Sequence, residues 1–84
     1  MTLKIVSSFT KRFNEALRRC HKKQICISEM TGMTKSCISL YKSGQREPTS
    51  FSLIILSEAF GCNELWLLGY NVPFGRDLDI TEVN

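Results

Sequence analysis

The chain has 84 residues, 43% of them hydrophobic, which supports one modest core but neither a second lobe nor a disordered chain. No apolar run reaches the length of a membrane span, and the opening MTLKIVSS lacks the apolar stretch of a signal peptide. The formal net charge is only +3, yet ten of the eleven Lys and Arg fall in the first 46 residues beside two of the eight acids, a division expected of a domain with one face toward nucleic acid.

The elements follow in chain order. Phe9, Phe13, Leu17 and Cys20, with Ala16 beside them, recur at helical spacing and predict an amphipathic helix from about Ser7 to His21, with Ser7 or Ser8 as cap. From Gln24, the positions Ile25, Ile27, Ser28 and Met30 predict a second helix of two turns that Gly32 stops. Thr34 is a good cap for a third helix carrying Ile38 and Tyr41 inward and ending at Gly44. Pro48 keeps that helix from continuing through Gln45-Arg46-Glu47. Thr49 or Ser50 caps a fourth helix through Phe51, Leu53, Ile54, Leu56, Ala59 and Phe60, closed by Gly61. Asn63 caps a short fifth through Leu65, Trp66, Leu67 and Leu68, closed by Gly69. The expected fold is all-α, in five helices. Residues 1–70 form the domain, and 71–84 form a flexible acidic tail or linker.

The third helix spends its exposed positions on Lys35, Ser36 and Ser39, although serine is a poorer helix former than Glu or Lys. Its neighbours give a reason. Gln24 opens the second helix, small Ser28 lies four residues on, Gly32 sits in the turn, Ile38 lies inside the third helix, and Ser43-Gly44 ends it. Pro48, Ala59-Phe60-Gly61 and the closing ELWLLGY follow. In this frame the stretch from Phe9 to Tyr70 resembles the Cro- and repressor-type helix-turn-helix domain, the XRE-like class of phage and bacterial regulators. The resemblance implies a compact lambda-repressor-like fold with the helix-turn-helix at helices two and three. A small residue at Ser28 lets the two helices approach, and Gly32 supplies the positive φ of a short turn.

The resemblance also implies roles. The helix from about Thr34 to Ser43 would enter the major groove, with Lys35 and Ser36 in its first turn, then Ser39, reading base edges. Gln24 would place the start of the second helix at a phosphate, Thr34 would cap and touch the backbone, and Gln45 and Arg46, helped by Lys42, would hold the sugar-phosphate chain. Cys37 is expected to be a small half-buried residue. Two positions depart from the pattern. Many family members pair an Arg in helix one with a Glu late in helix three, and here those positions are Leu17 and Lys42. An aliphatic residue is usual two places before Gln24, where this chain has Lys22, and Ile25 is expected to fill that space.

The four cysteines (Cys20, Cys26, Cys37, Cys62) form no Cys-x-x-Cys pair, and His21 has no partner at a ligand spacing, so neither metal nor other cofactor is expected. No nucleophile–base spacing or Gly-rich phosphate loop points to an enzyme. The expectation is a phage-type repressor in the bacterial cytoplasm, associated with the nucleoid when bound, that grips a near-palindromic double-stranded DNA operator as a weak homodimer. Phe51, Ile54, Ile55 and Leu65 exceed one core stripe and are the expected dimer contacts. An antirepressor or a C-terminal oligomerisation domain would be further partners. The rival is an antitoxin or restriction-modification controller of the same fold, acting mainly through a protein partner.

Overall fold

The computed structural model describes residues 3–75, and among them the helices are α1 (Phe9–Cys20), α2 (Gln24–Thr31), α3 (Lys35–Ser43), α4 (Ser50–Phe60) and α5 (Glu64–Leu68). Four starts are fixed by side chains: the oxygens of Ser8, Thr34, Thr49 and Asn63 accept from the N–H groups of Lys11, Cys37, Ser52 and Leu65. α2 differs, because Lys23 at its N-cap makes no capping bond. Glycine closes four helices, whereas α1 ends at His21, whose φ of 53° is left-handed without the glycine that such a position favours.

The α1 stripe of Phe9, Phe13, Ala16 and Leu17 is buried against Ile27, Ile38, Tyr41, Leu53, Leu56, Phe60, Trp66 and Leu67. Phe13 lies at the centre, edge-on to Phe60 at 5.5 Å between ring centroids and 5.9 Å from Tyr41, which also stands edge-on to Phe9. α1 therefore packs on α3, α4 and α5, while α2 packs on α3 and α4. One consequence matters for function. With Ile38 in the core and Tyr41 against Phe9 and Phe13 of α1, the opposite face of α3 is left outside.

Two features differ from the expectations, and a third, at Arg12, lies outside them. Ile25 and Met30 are exposed and only Ile27 of α2 is buried, so Ile25 does not fill the space left by Lys22. Arg12 is buried: its Nη1 donates to the Trp66 carbonyl oxygen at 2.8 Å, and its guanidinium lies 4.5 Å from the Trp66 ring centroid. The packed body also runs past the expected boundary at Tyr70. Lys4 to Ser7 lie along Gly69–Asn71, with Val6 and Ser7 N–H donating to the Gly69 carbonyl and Asn71 N–H to that of Lys4. Asn63 N–H donates to the Phe74 carbonyl at 2.7 Å, and the Phe74 ring stands edge-on to Trp66 at 4.6 Å. Residues 71–75 thus belong to the body, and the rest of the expected tail, 76–84, lies outside the described residues.

Candidate nucleic-acid interface

The turn between α2 and α3 is held by hydroxyls. Ser28 Oγ donates to the Met33 carbonyl across the turn, Thr31 Oγ1 donates to the Ile27 carbonyl at 2.7 Å, and Met33 N–H donates back to Thr31 Oγ1 at 3.1 Å. Gly32, at φ 79°, makes the reversal. The angle between the helices is then set by short side chains that a larger residue at Ser28 would displace.

α3 divides cleanly by burial. Ile38 and Tyr41 face the core, while Met33 and Cys37 pack partly against it. Burial raises the Tyr41 hydroxyl above its ordinary pKa of 10, against the opposing bond with Ser52. Lys35, Ser36 and Ser39 are exposed and, with half-buried Leu40, line a shallow depression of about 410 Å³. The structure therefore brings together the three side chains expected to read bases. At the far end, Lys42, Gln45 and Arg46 are exposed, and Arg46 Nη1 folds back to within 3.4 Å of Cys37 Sγ. Thr34 is exposed, and its Oγ1 accepts from Cys37 N–H at 3.1 Å as the cap of α3.

Gln24 is half-buried at the start of α2 and shares a cleft of about 480 Å³ with Lys42, Arg18, Lys22, Lys23, Asn14 and Leu17. Arg18, Lys22 and Lys23 were not expected here. The sequence signal was present in their clustering, but solvated helix ends carry the same signal. Asn14 Nδ2 donates to the carbonyls of Thr10 at 2.9 Å and Lys42 at 3.1 Å, and so ties the last turn of α3 to α1.

Of the residues expected at a dimer contact, Phe51 is 73% exposed, Ile54 40% and Leu65 38%, whereas Ile55 is half-buried. Spare apolar surface is not confined to α4 and α5, because Leu3, Ile5 and Val6 are exposed as well.

A helix-turn-helix family model matches residues 15–67. The fold is similar to the DNA-binding domain of the P22 c2 repressor in solution, at TM-score 0.72 and 23% identity over 79% of this chain and 87% of that one. A crystal structure of the P22 c2 repressor with synthetic operator 9T gives TM-score 0.69 and 24% identity, covering 75% of this chain and 96% of that one. A transcriptional regulator from Listeria innocua gives TM-score 0.69 and 23% identity, covering 94% and 74%. No curated protein matches in sequence.

Proposed function

The chain belongs to the helix-turn-helix family of DNA-binding regulators, and we propose that it is a phage-type repressor domain reading a near-palindromic operator through α3. The observation that carries this reading is the outward face of α3. Lys35, Ser36 and Ser39 stand exposed together, on a helix whose other face is held in the core by Ile38 and by Tyr41 against Phe9 and Phe13. Lys35 is the strongest base-reading group, since a lysine can reach the O6 and N7 acceptors of guanine, and the serines can bond to several base edges. Gln24, Lys42, Gln45 and Arg46 flank that face and hold phosphates, with Thr34 at the α3 cap touching the backbone. That the P22 c2 repressor has been crystallised with an operator supports the same use of the shared fold.

One α3 reads only a few base pairs, so useful specificity calls for two copies about one helical turn apart. Phe51, Ile54 and Leu65, with Ile55 contributing less, supply the apolar contact for weak pairing on DNA. The exposure of Phe51 also favours a second reading, in which this surface serves a protein partner such as an antirepressor.

Selection of bound sequences from random DNA tests the proposal. Lys35→Ala should cost about 1–3 kcal/mol at the selected site and relax one base position. Lys42→Ala or Arg46→Ala should weaken all sequences alike and lower the salt slope by about one unit. An unchanged selected motif and affinity in Lys35→Ala would remove α3 as the reader. Leu65→Glu should abolish cooperative filling of two half-sites, and a single short site filled by one copy would favour the protein-partner reading.

A further inference from the structure

We propose that Cys37 is a positioning residue for DNA contact: its sulfur, held from the core side by the Tyr41 hydroxyl, anchors one edge of the Arg46 guanidinium in the free domain and leaves the other edge open to a backbone phosphate. The inference rests on the reading of Arg46 as a phosphate contact and adds to it the residue that prepares that contact.

The path of the chain brings the two side chains together. After α3 the backbone reverses at Gly44, whose φ is 85°, and Gln45 N–H donates to the Leu40 carbonyl at 2.9 Å. Arg46 therefore leaves the turn facing back along α3, and its Nη1 donates to Cys37 Sγ, nine residues earlier, at 3.4 Å. Glu47 is next to it in the chain, yet Arg46 forms no ion pair among the described residues. The thiol sulfur is the partner it has. A guanidinium carries five N–H donors in a planar fork, so one bond to sulfur leaves most of them free. Arg46 is exposed, which puts those remaining donors in solvent where a phosphate could meet them.

The sulfur is itself fixed. Cys37 packs partly against the core, and the Tyr41 hydroxyl is hydrogen-bonded both to Cys37 and to Ser52 at the start of α4. The Tyr41 ring stands edge-on to Phe9 at 5.6 Å between centroids and 5.9 Å from Phe13, so that hydroxyl is carried by the core. Thr49 Oγ1 donates in turn to Ser52 Oγ at 3.1 Å. A chain of polar groups thus runs from Arg46 through Cys37, Tyr41 and Ser52 to Thr49, and ties both ends of the α3–α4 loop to one buried tyrosine.

Residue type matters at position 37. The site needs a side chain small enough to pack half-buried on a helix and able to accept a bond on its outer side. A thiol does both, as a small apolar group with a weak acceptor sulfur. Alanine or valine would pack without accepting, and serine would accept. An exposed arginine with no partner loses its rotamer freedom only when it binds, whereas one already held has less to lose.

The test combines side-chain NMR of the free domain with a double-mutant cycle on the selected operator. Thermal melting first establishes that Cys37→Ala and Cys37→Ser fold; if the alanine variant does not, Cys37→Val takes its place. The heteronuclear NOE of Arg46 Nε–Hε should be that of an ordered side chain in wild type, fall in Cys37→Ala, and recover in Cys37→Ser. Cys37→Ala should weaken operator binding roughly two- to fivefold, with serine restoring most of it. The salt slope should stay as in wild type, because Arg46 still reaches its phosphate, whereas Arg46→Ala lowers it by about one unit. In the Arg46→Ala background the same Cys37→Ala change should cost less than about 1.5-fold, a coupling that a general loss of packing would not produce. An Arg46 side chain equally mobile with and without the thiol overturns the proposal, and so do additive losses in the cycle. Wild type binding no duplex would instead overturn the functional reading, even if Arg46 proved ordered by Cys37 in the free domain.

Discussion

Arg12→Met tests whether the buried guanidinium holds α5 in place. Arg12 is 8% exposed, donates to the Trp66 carbonyl at 2.8 Å, and stacks 4.5 Å from the ring centroid of the same residue. Methionine keeps an aliphatic stem of similar reach and removes the charge and its donors. A hydrogen bond from a charged donor contributes about 1.5–3 kcal/mol, and a desolvated cation–π contact about 2 kcal/mol. The two share one guanidinium and are opposed by the cost of burying its charge, so they do not add. The Trp66 carbonyl also keeps the bond from Gly69 N–H at 2.9 Å, so no acceptor is orphaned. The net loss should be about 2–3 kcal/mol, a large share of the roughly 4–13 kcal/mol available to a domain of this size. Trp66 is the single tryptophan, so its fluorescence reports a urea melt directly. With an m-value typical of small domains, the midpoint should fall by about 1–2 M. A loss below about 0.5 kcal/mol would show that desolvation cancels the contact and that Arg12 acts only by packing.

Gly69→Ala should destabilise by about 2–4 kcal/mol, because a Cβ there would lie 2.8 Å from the Ser7 carbonyl carbon at a backbone φ of 107°. Faster hydrogen exchange at the Val6 and Ser7 amides, which donate to the Gly69 carbonyl, would locate the damage, and an unchanged melt would refute the contact. His21→Gly should do the opposite. Relief of the left-handed conformation, less the extra entropy of glycine, should stabilise by about 0.5–1 kcal/mol and raise Tm by a few degrees, as calorimetry would show. Tyr41 links stability to alkali. Burial raises its pKa, so the folded state holds the proton more tightly. That contribution is complete below the ordinary value of 10 and is lost as pH rises through the folded value. Urea melts up to roughly pH 11 should show this decline in wild type and a smaller one in Tyr41→Phe.

Local rules made most of the architecture legible. Phe9, Phe13 and Leu17 repeat at the spacing of one helix face, and Thr34, Thr49 and Asn63 cap where they were expected. The exposure of Lys35, Ser36 and Ser39 follows from the inward commitment of Ile38 and Tyr41 at helical period. What was not legible depends on contacts distant in sequence. Arg12 reads as a solvated charge until α5 is laid across it. The segment from Lys4 to Ser7 has no period of its own, and its partners lie at Gly69 to Asn71, the far end of the body. Irregular chain can still be packed, and Phe74, between Pro73 and Gly75, is held between Trp66 and Arg19. On α4 the apolar residues surround the helix, so periodicity could not separate half-buried Ile55 from exposed Ile54.

The Leu17 and Lys42 pair connects these levels. At the positions where the sequence resemblance implies an Arg–Glu pair between helices one and three, this chain has Leu17 and Lys42. The link between the helices is made another way, by the Asn14 amide on the Lys42 carbonyl, a backbone group that no charge change at the side chain can remove. Leu17, nearly buried, continues the α1 stripe one turn further and adds apolar contact under the cleft. The Lys42 side chain, released from any pairing within the described residues, is left beside Arg18, Lys22 and Lys23. The Asn14 bond thus keeps α1 and α3 together with no help from a charge pair, and the Lys42 side chain lines a cleft that holds cations and no acid.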